Sequence, residues 1–66
     1  MYYEINVALN GKHLFATHER SIRSEGELKR VLAILVEKFP ESEEYSVSVT
    51  KWENRGEFIS IEEVLK

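Results

Sequence analysis

The sequence predicts an α+β domain in the order ββαββ: a four-stranded, mostly antiparallel sheet with one amphipathic helix on one of its faces. Apolar and polar residues alternate over residues 2–9 and again over 45–52, which is the pattern of half-buried strands. Between these strands, apolar residues recur every three or four positions over 25–39, which is the pattern of an amphipathic helix. A chain of 66 residues has room for a single domain, residues 1–66.

The first predicted hairpin turns at Asn10-Gly11. Both central residues of a type I′ turn need a positive φ, and asparagine and glycine tolerate that conformation best. A two-residue loop fixes the register and places Val7 opposite Leu14. Because side chains alternate along a strand, this register places Phe15 on the face that the helix does not cover.

The helix has predicted signals at both ends. Ser24-Glu25-Gly26-Glu27 has the spacing of a capping box. Pro40 disfavours helical geometry in Phe39 and cannot donate a backbone hydrogen bond, so the helix covers about residues 25–39. Its apolar stripe is Leu28, Val31, Leu32, Leu35 and Phe39. A second capping-box spacing in Ser60-Ile61-Glu62-Glu63 predicts a short C-terminal helical turn.

The second predicted hairpin has a three-residue loop, Asn54-Arg55-Gly56, with its glycine in the left-handed conformation. This loop places Trp52 opposite Phe58 and Val49 opposite Ile61. The isoleucines of the last strand then face the helix, whereas a two-residue loop would turn them outward. We therefore predict the three-residue loop, because it gives both isoleucines a place in the core.

Composition limits the classes of function. The formal net charge is −3, with six cations against five glutamates (+1) over residues 1–40 and three cations against seven glutamates (−4) over 41–66. Proteins that bind phosphate backbones normally carry surplus positive charge, so nucleic acid is a disfavoured partner. The absence of cysteine fits a reducing compartment. No signal peptide or membrane-spanning run is evident, so we predict a cytoplasmic protein with no membrane partner.

No catalytic constellation is evident, and we predict that the chain is not an enzyme and has no small-molecule substrate. There is no phosphate-binding glycine loop and no nucleophile beside a base. His18 and Glu19 are neighbours whose side chains would diverge on a strand. His13 and His18 lack companion ligands at metal-site spacing, so we predict neither a metal nor another cofactor.

One helix can cover only one face of a four-stranded sheet, and the bare face is the predicted binding surface. Four aromatic side chains are predicted there: Tyr2, Phe15, Trp52 and Phe58. An aromatic patch with a polar rim is typical of protein interfaces. We therefore predict a small protein-interaction module whose partner is another protein or a second copy in a homodimer.

Other interpretations stay open from the sequence. The same rings suit stacking on the bases of single-stranded nucleic acid. The acidic surface Glu41, Glu43 and Glu44 suits a DNA mimic that inhibits a nucleic-acid-binding protein. The segment before the helix carries Arg20 and Arg23, which either bind an anion or pair with nearby glutamates. Ile34 lies off the apolar stripe and is predicted to be exposed on the outer side of the helix.

Two stretches of the chain resemble small uncharacterised proteins of bacteriophages and prophages: residues 10–17, and residues 38–43 running into 47–52. Some phage proteins of this size inhibit host defence complexes by protein contact, so the resemblance implies a binding role. The helix end at Phe39-Pro40, the acidic turn and Val47-Ser48-Val49 are also similar to DinI-type DNA-damage-response proteins. In this chain a hairpin precedes the helix, which departs from the order of elements in that family.

Overall fold

The first and third strands pair along their whole length at the centre of the sheet, in a computed structural model that describes all 66 residues. All strand pairs are antiparallel and their order is β2-β1-β3-β4. This architecture confirms the predicted ββαββ fold with a short C-terminal helix. The elements are β1 (Tyr2–Leu9), β2 (Lys12–Ala16), α1 (Glu25–Lys38), a 3₁₀ turn (Glu41–Glu43), β3 (Tyr45–Trp52), β4 (Gly56–Ile59) and α2 (Ile61–Leu65).

The core lies between the sheet and α1. Alternation along β1 and β3 turns Ile5 and Val49 toward the helix, where they meet Leu28 and Leu32 of its apolar stripe. All four side chains are almost fully buried. Full burial of such a side chain contributes about 1.5–3 kcal/mol, so these contacts hold α1 on this face of the sheet.

Both helices begin at the predicted caps. The Ser24 hydroxyl oxygen accepts from the Glu27 backbone N–H at 3.2 Å, and the hydroxyl donates to the Glu27 carboxylate at the same distance. Helix α1 ends one residue earlier than predicted, with Phe39 as its C-cap. Ser60 caps α2 by accepting from the Glu63 N–H at 3.5 Å. Neither helix combines the length and the apolarity that crossing a bilayer requires.

The first hairpin contains a β-bulge. Its turn forms at Asn10-Gly11, where both residues have positive φ. The register then shifts, so that Val7 lies opposite Phe15 and Leu14 is the extra residue. The predicted pair of Val7 with Leu14 is wrong, because a bulge inserts one residue and reverses the alternation that follows it. Phe15 consequently lies on the helix side of the sheet, against the ring of Phe39.

The second hairpin has a three-residue loop one position earlier than predicted, at residues 53–55. Gly56 belongs to β4 and lies opposite Trp52, in place of the predicted pair of Trp52 with Phe58. Its φ is not positive, so the predicted left-handed role is wrong. A shift of two residues changes the partners but keeps every side chain on its predicted face.

The end of β4 differs from the prediction for the same reason. Val49 lies opposite Ile59, whereas the predicted partner Ile61 has left the sheet and begins α2. The capping residue Ser60 ends the strand. Ile61 and Val64 of α2 are partly buried and pack against the core.

The segment between β2 and α1 follows the sheet edge beside β1. The Tyr3 N–H donates to the Ile22 carbonyl at 2.8 Å, and the two residues form an isolated antiparallel bridge. Nearer to β2, Thr17 donates its N–H to the Ile5 carbonyl at 2.9 Å. Ile22 is only 3% exposed and is a core residue that sequence reasoning missed.

Candidate functional site

The face of the sheet that points away from α1 carries no helix. Alternation along the paired strands places these residues on it: Tyr2, Glu4, Asn6, Ala8, His13, Ala16, Ser46, Ser48, Thr50, Trp52, Gly56 and Phe58. We call this set the open face. Glu4 is its only member with a formal charge, so the surface is neutral and weakly polar over most of its area.

Three of the four predicted aromatic side chains lie on the open face, and we call them the aromatic patch: Tyr2, Trp52 and Phe58. Tyr2 and Trp52 are direct partners on β1 and β3, and their rings stack with centroids 6.4 Å apart. Phe58 lies opposite Thr50 and is 80% exposed. The predicted position of Phe15 in this patch is wrong, because its ring lies 5.4 Å from that of Phe39 on the helix side.

Trp52 is the most constrained ring of the aromatic patch. A Cβ atom added to Gly56 would lie only 2.8–3.0 Å from three atoms of the Trp52 six-membered ring, so the indole fills the space above this glycine. Tyr2 flanks the same ring from the neighbouring strand. The buried Nε1 of Trp52 has no hydrogen-bond partner. Trp52 is therefore held by its neighbours Gly56 and Tyr2, whereas the Phe58 ring is the most accessible to a partner.

Two arginines lie at one end of the aromatic patch. They border a cleft of about 330 Å³ lined by Met1, Tyr2, Arg20, Arg23, Trp52 and Glu53. The Arg23 Nε–H donates to the Arg20 carbonyl at 3.1 Å, and neither guanidinium forms an ion pair with a glutamate. Sequence reasoning did not connect these arginines with the rings. The residue that could have indicated this arrangement is Ile22, a lone apolar residue in a polar segment, which is buried and holds that segment beside β1.

The local environment raises the pKa of Tyr2 above its ordinary value of 10.0. Partial burial of the phenol is the main cause, and the carboxylates of Glu19 and Glu4 add to it. The Arg20 guanidinium acts in the opposite direction. Tyr2 consequently stays neutral at physiological pH and presents a hydroxyl that can donate a hydrogen bond.

The predicted acidic surface lies at the opposite end of α1 from its N-cap. Glu41 and Glu43 belong to the 3₁₀ turn, and Glu44 follows it with a φ of 71°. All three side chains are exposed, and none of them forms an ion pair. The three residues follow one another in and directly after a single turn, and no group of three or more side chains that could hold a metal ion forms there or elsewhere.

Comparison of the chain with models of protein families, with curated proteins and with solved structures finds no match.

Proposed function

We propose that the chain is a small non-enzymatic protein-interaction module that binds another protein chain through its open face. The observation that carries this proposal is Phe58, which is 80% exposed on a regular strand. Burying a phenylalanine side chain contributes about 1.5–3 kcal/mol, and within this chain that contribution is largely forgone. A partner that covers Phe58 would recover it.

The surroundings of Phe58 support a protein as the partner. Cores of protein interfaces are rich in tyrosine, tryptophan and phenylalanine and poor in charge, which describes the open face with Glu4 as its one charged residue. Ser48, which lines a cleft together with Phe58, and Ser46, farther along β3, supply hydroxyl groups for hydrogen bonds at the margin. We expect the rings to form the centre of the contact and the serines its rim.

The partner is a second copy of the chain or a different protein in the cytoplasm. A second copy is supported by the small core, since 8 of 66 residues are buried and a small domain gains from a shared interface. A different partner is supported by the resemblance to phage and prophage proteins, for which an accessory or regulatory role is expected.

A site-specific crosslinker tests the proposal. We would replace Phe58 with the photoreactive residue benzoylphenylalanine, and would place the same residue at Ile34 as a matched control. Ile34 is 53% exposed on the outer side of α1, so both substitutions alter exposed apolar positions. We expect a discrete crosslinked product from position 58, either a dimer or an adduct with one partner, and none from position 34. Equal crosslinking from both positions, or none from position 58, would contradict the proposal.

Arg20 and Arg23 beside Tyr2 favour a second candidate, binding of single-stranded nucleic acid at the end of the aromatic patch. A ribose-phosphate backbone near the guanidinium groups would bring a base toward the free side of the Tyr2 ring. Fluorescence anisotropy with a short labelled oligonucleotide at low salt tests this candidate. Binding that weakens with salt and with Arg20→Ala supports it, and a flat titration removes it.

A further inference from the structure

The outer edge of β3 is only half covered. β3 runs over eight residues, Tyr45–Trp52, whereas β4 has four residues and pairs only with the second half, Val49–Trp52. On the side away from β1, residues 45–48 therefore have no neighbouring strand. We call these four residues the bare edge.

Hydrogen-bond alternation shows where the backbone of the bare edge points. The N–H of Tyr3 and the carbonyl of Ile5 bond toward the β2 side of β1, so the even-numbered residues of β1 bond to β3. Their bonding partners are the even-numbered residues of β3, because Asn6 pairs with Ser48 and Ala8 with Ser46. Odd-numbered Val47 therefore directs its N–H and carbonyl to the opposite side, away from β1. None of the loop or cap hydrogen bonds uses a backbone group of Val47.

Two clefts border the bare edge. The helix-side cleft, of about 510 Å³, is largely apolar and includes Val36, Phe39 and Leu65. The second cleft, of about 500 Å³, lies at the edge itself, because Val47 and Val49 of the helix side line it together with Ser48 and Phe58 of the open face. Val47 and Ile61 line both clefts. A strand added at the edge would direct alternate side chains into the helix-side cleft and toward the open face beside Phe58.

Two glutamates lie beside the bare edge. Glu62 lines both clefts, and Glu41 lines the helix-side cleft. Neither carboxylate forms an ion pair. Two copies joined edge to edge at residues 45–48 would bring these same glutamates together, and like charges across an interface oppose association. Charge complementarity therefore favours a basic strand from a different protein.

We propose that the bare edge binds an extended segment of a partner protein, with alternating apolar and basic side chains, by strand addition to β3. The added backbone bonds to Val47, its apolar side chains enter the helix-side cleft, and its basic side chains, which point to the opposite face, meet Glu62. This mode of recognition reuses the geometry of the sheet itself. It rests on the proposed function as a protein-interaction module, and it names the chemistry of the partner.

Amide hydrogen exchange tests the edge directly. In the free protein we expect the Val47 amide to exchange at least about tenfold faster than the Ser46 and Ser48 amides, whose N–H groups bond to β1. Saturation with a peptide of about seven alternating lysine and valine residues should slow the Val47 amide. Strong protection of Val47 in the free protein would overturn the inference, because the edge would already be occupied.

Charge reversal tests the stated chemistry of the partner. Glu62→Lys should weaken the lysine–valine peptide roughly tenfold and should improve binding of a matched glutamate–valine peptide. Glu19→Lys reverses an exposed charge at the other end of the molecule and should change the affinity less than about twofold. A flat titration of the lysine–valine peptide, or equal effects of the two substitutions, would overturn the inference.

The two proposals fail separately. Crosslinking from position 58 together with a flat peptide titration leaves the open face as a binding surface and removes the strand-addition mode. Protection of Val47 by the peptide without crosslinking from position 58 has the opposite meaning: it supports the edge and removes the open face.

Discussion

The packing of Trp52 on Gly56 predicts opposite effects of the same substitution at two glycines. In Gly56→Ala the new Cβ would lie 2.8 Å from the nearest indole atom, whereas ordinary contacts begin at 3.4 Å. The ring must therefore retreat by about 0.6 Å, the difference of these distances. Forcing an extra methyl group into a packed site costs about 1–3 kcal/mol. For a domain of this size each kcal/mol lowers Tm by roughly 4–8 °C.

Gly26→Ala is the matched control. Gly26 lies in the first turn of α1, its φ is not positive, and a Cβ there would meet no atom within 4 Å. Alanine restricts the unfolded chain and favours the helix, so we expect a gain of about 0.4–1 kcal/mol. Both variants add the same single methyl group to the parent. Opposite changes in their stability must therefore come from the surroundings of the two glycines.

Thermal unfolding followed by circular dichroism measures both effects, and fluorescence reports the indole position. Trp52 is the only tryptophan, so its emission is unambiguous. We expect a lower Tm and a red-shifted emission for Gly56→Ala, and a higher Tm with unchanged emission for Gly26→Ala. If Gly56→Ala keeps the parental Tm and emission, the indole does not lie against Gly56 and the assignment of Trp52 as a packing residue is wrong.

Three further predictions concern the core, the cap and the phenol. Leu32→Ala should cost about 2–5 kcal/mol because Leu32 is fully buried, so that denaturant unfolding shows a largely unfolded chain at 37 °C. Ser24→Ala removes the N-cap of α1 and should cost about 1 kcal/mol in the same assay. The raised pKa of Tyr2 favours the neutral phenol in the folded state, so its contribution to stability is present below pH 10 and is lost as the pH rises through the folded-state pKa. Urea unfolding measured across this range should show the loss, and Glu19→Gln should reduce it.

Local signals in the sequence predicted most of the fold. The alternation along β1 and β3, the Asn10-Gly11 turn and the cap at Ser24 each depend on neighbours a few residues apart, and all appear in the structure. Ile22 was missed because its burial depends on a bridge to Tyr3, nineteen positions away (22 − 3), which no local pattern encodes.

The candidate site was less predictable than the fold because its members depend on register. One bulge at Leu14 moved Phe15 to the helix side, while a two-residue shift in the second hairpin left Phe58 on its predicted face. An odd displacement reverses the face of every later residue in a strand, whereas an even one preserves it. The bulge therefore made the prediction wrong for Phe15, whereas the error in loop position left the prediction for Phe58 correct.

The length of β4 connects the two proposed binding surfaces. Because β4 ends after Ile59, the edge of β3 is bare beside Val47, and Phe58 lies at the boundary between that edge and the open face. A longer β4 would have covered the edge and would have set another strand residue beside Phe58. Ser60, by capping α2, ends β4 at this point, so a helix signal in the sequence leaves the edge beside Val47 open to a partner.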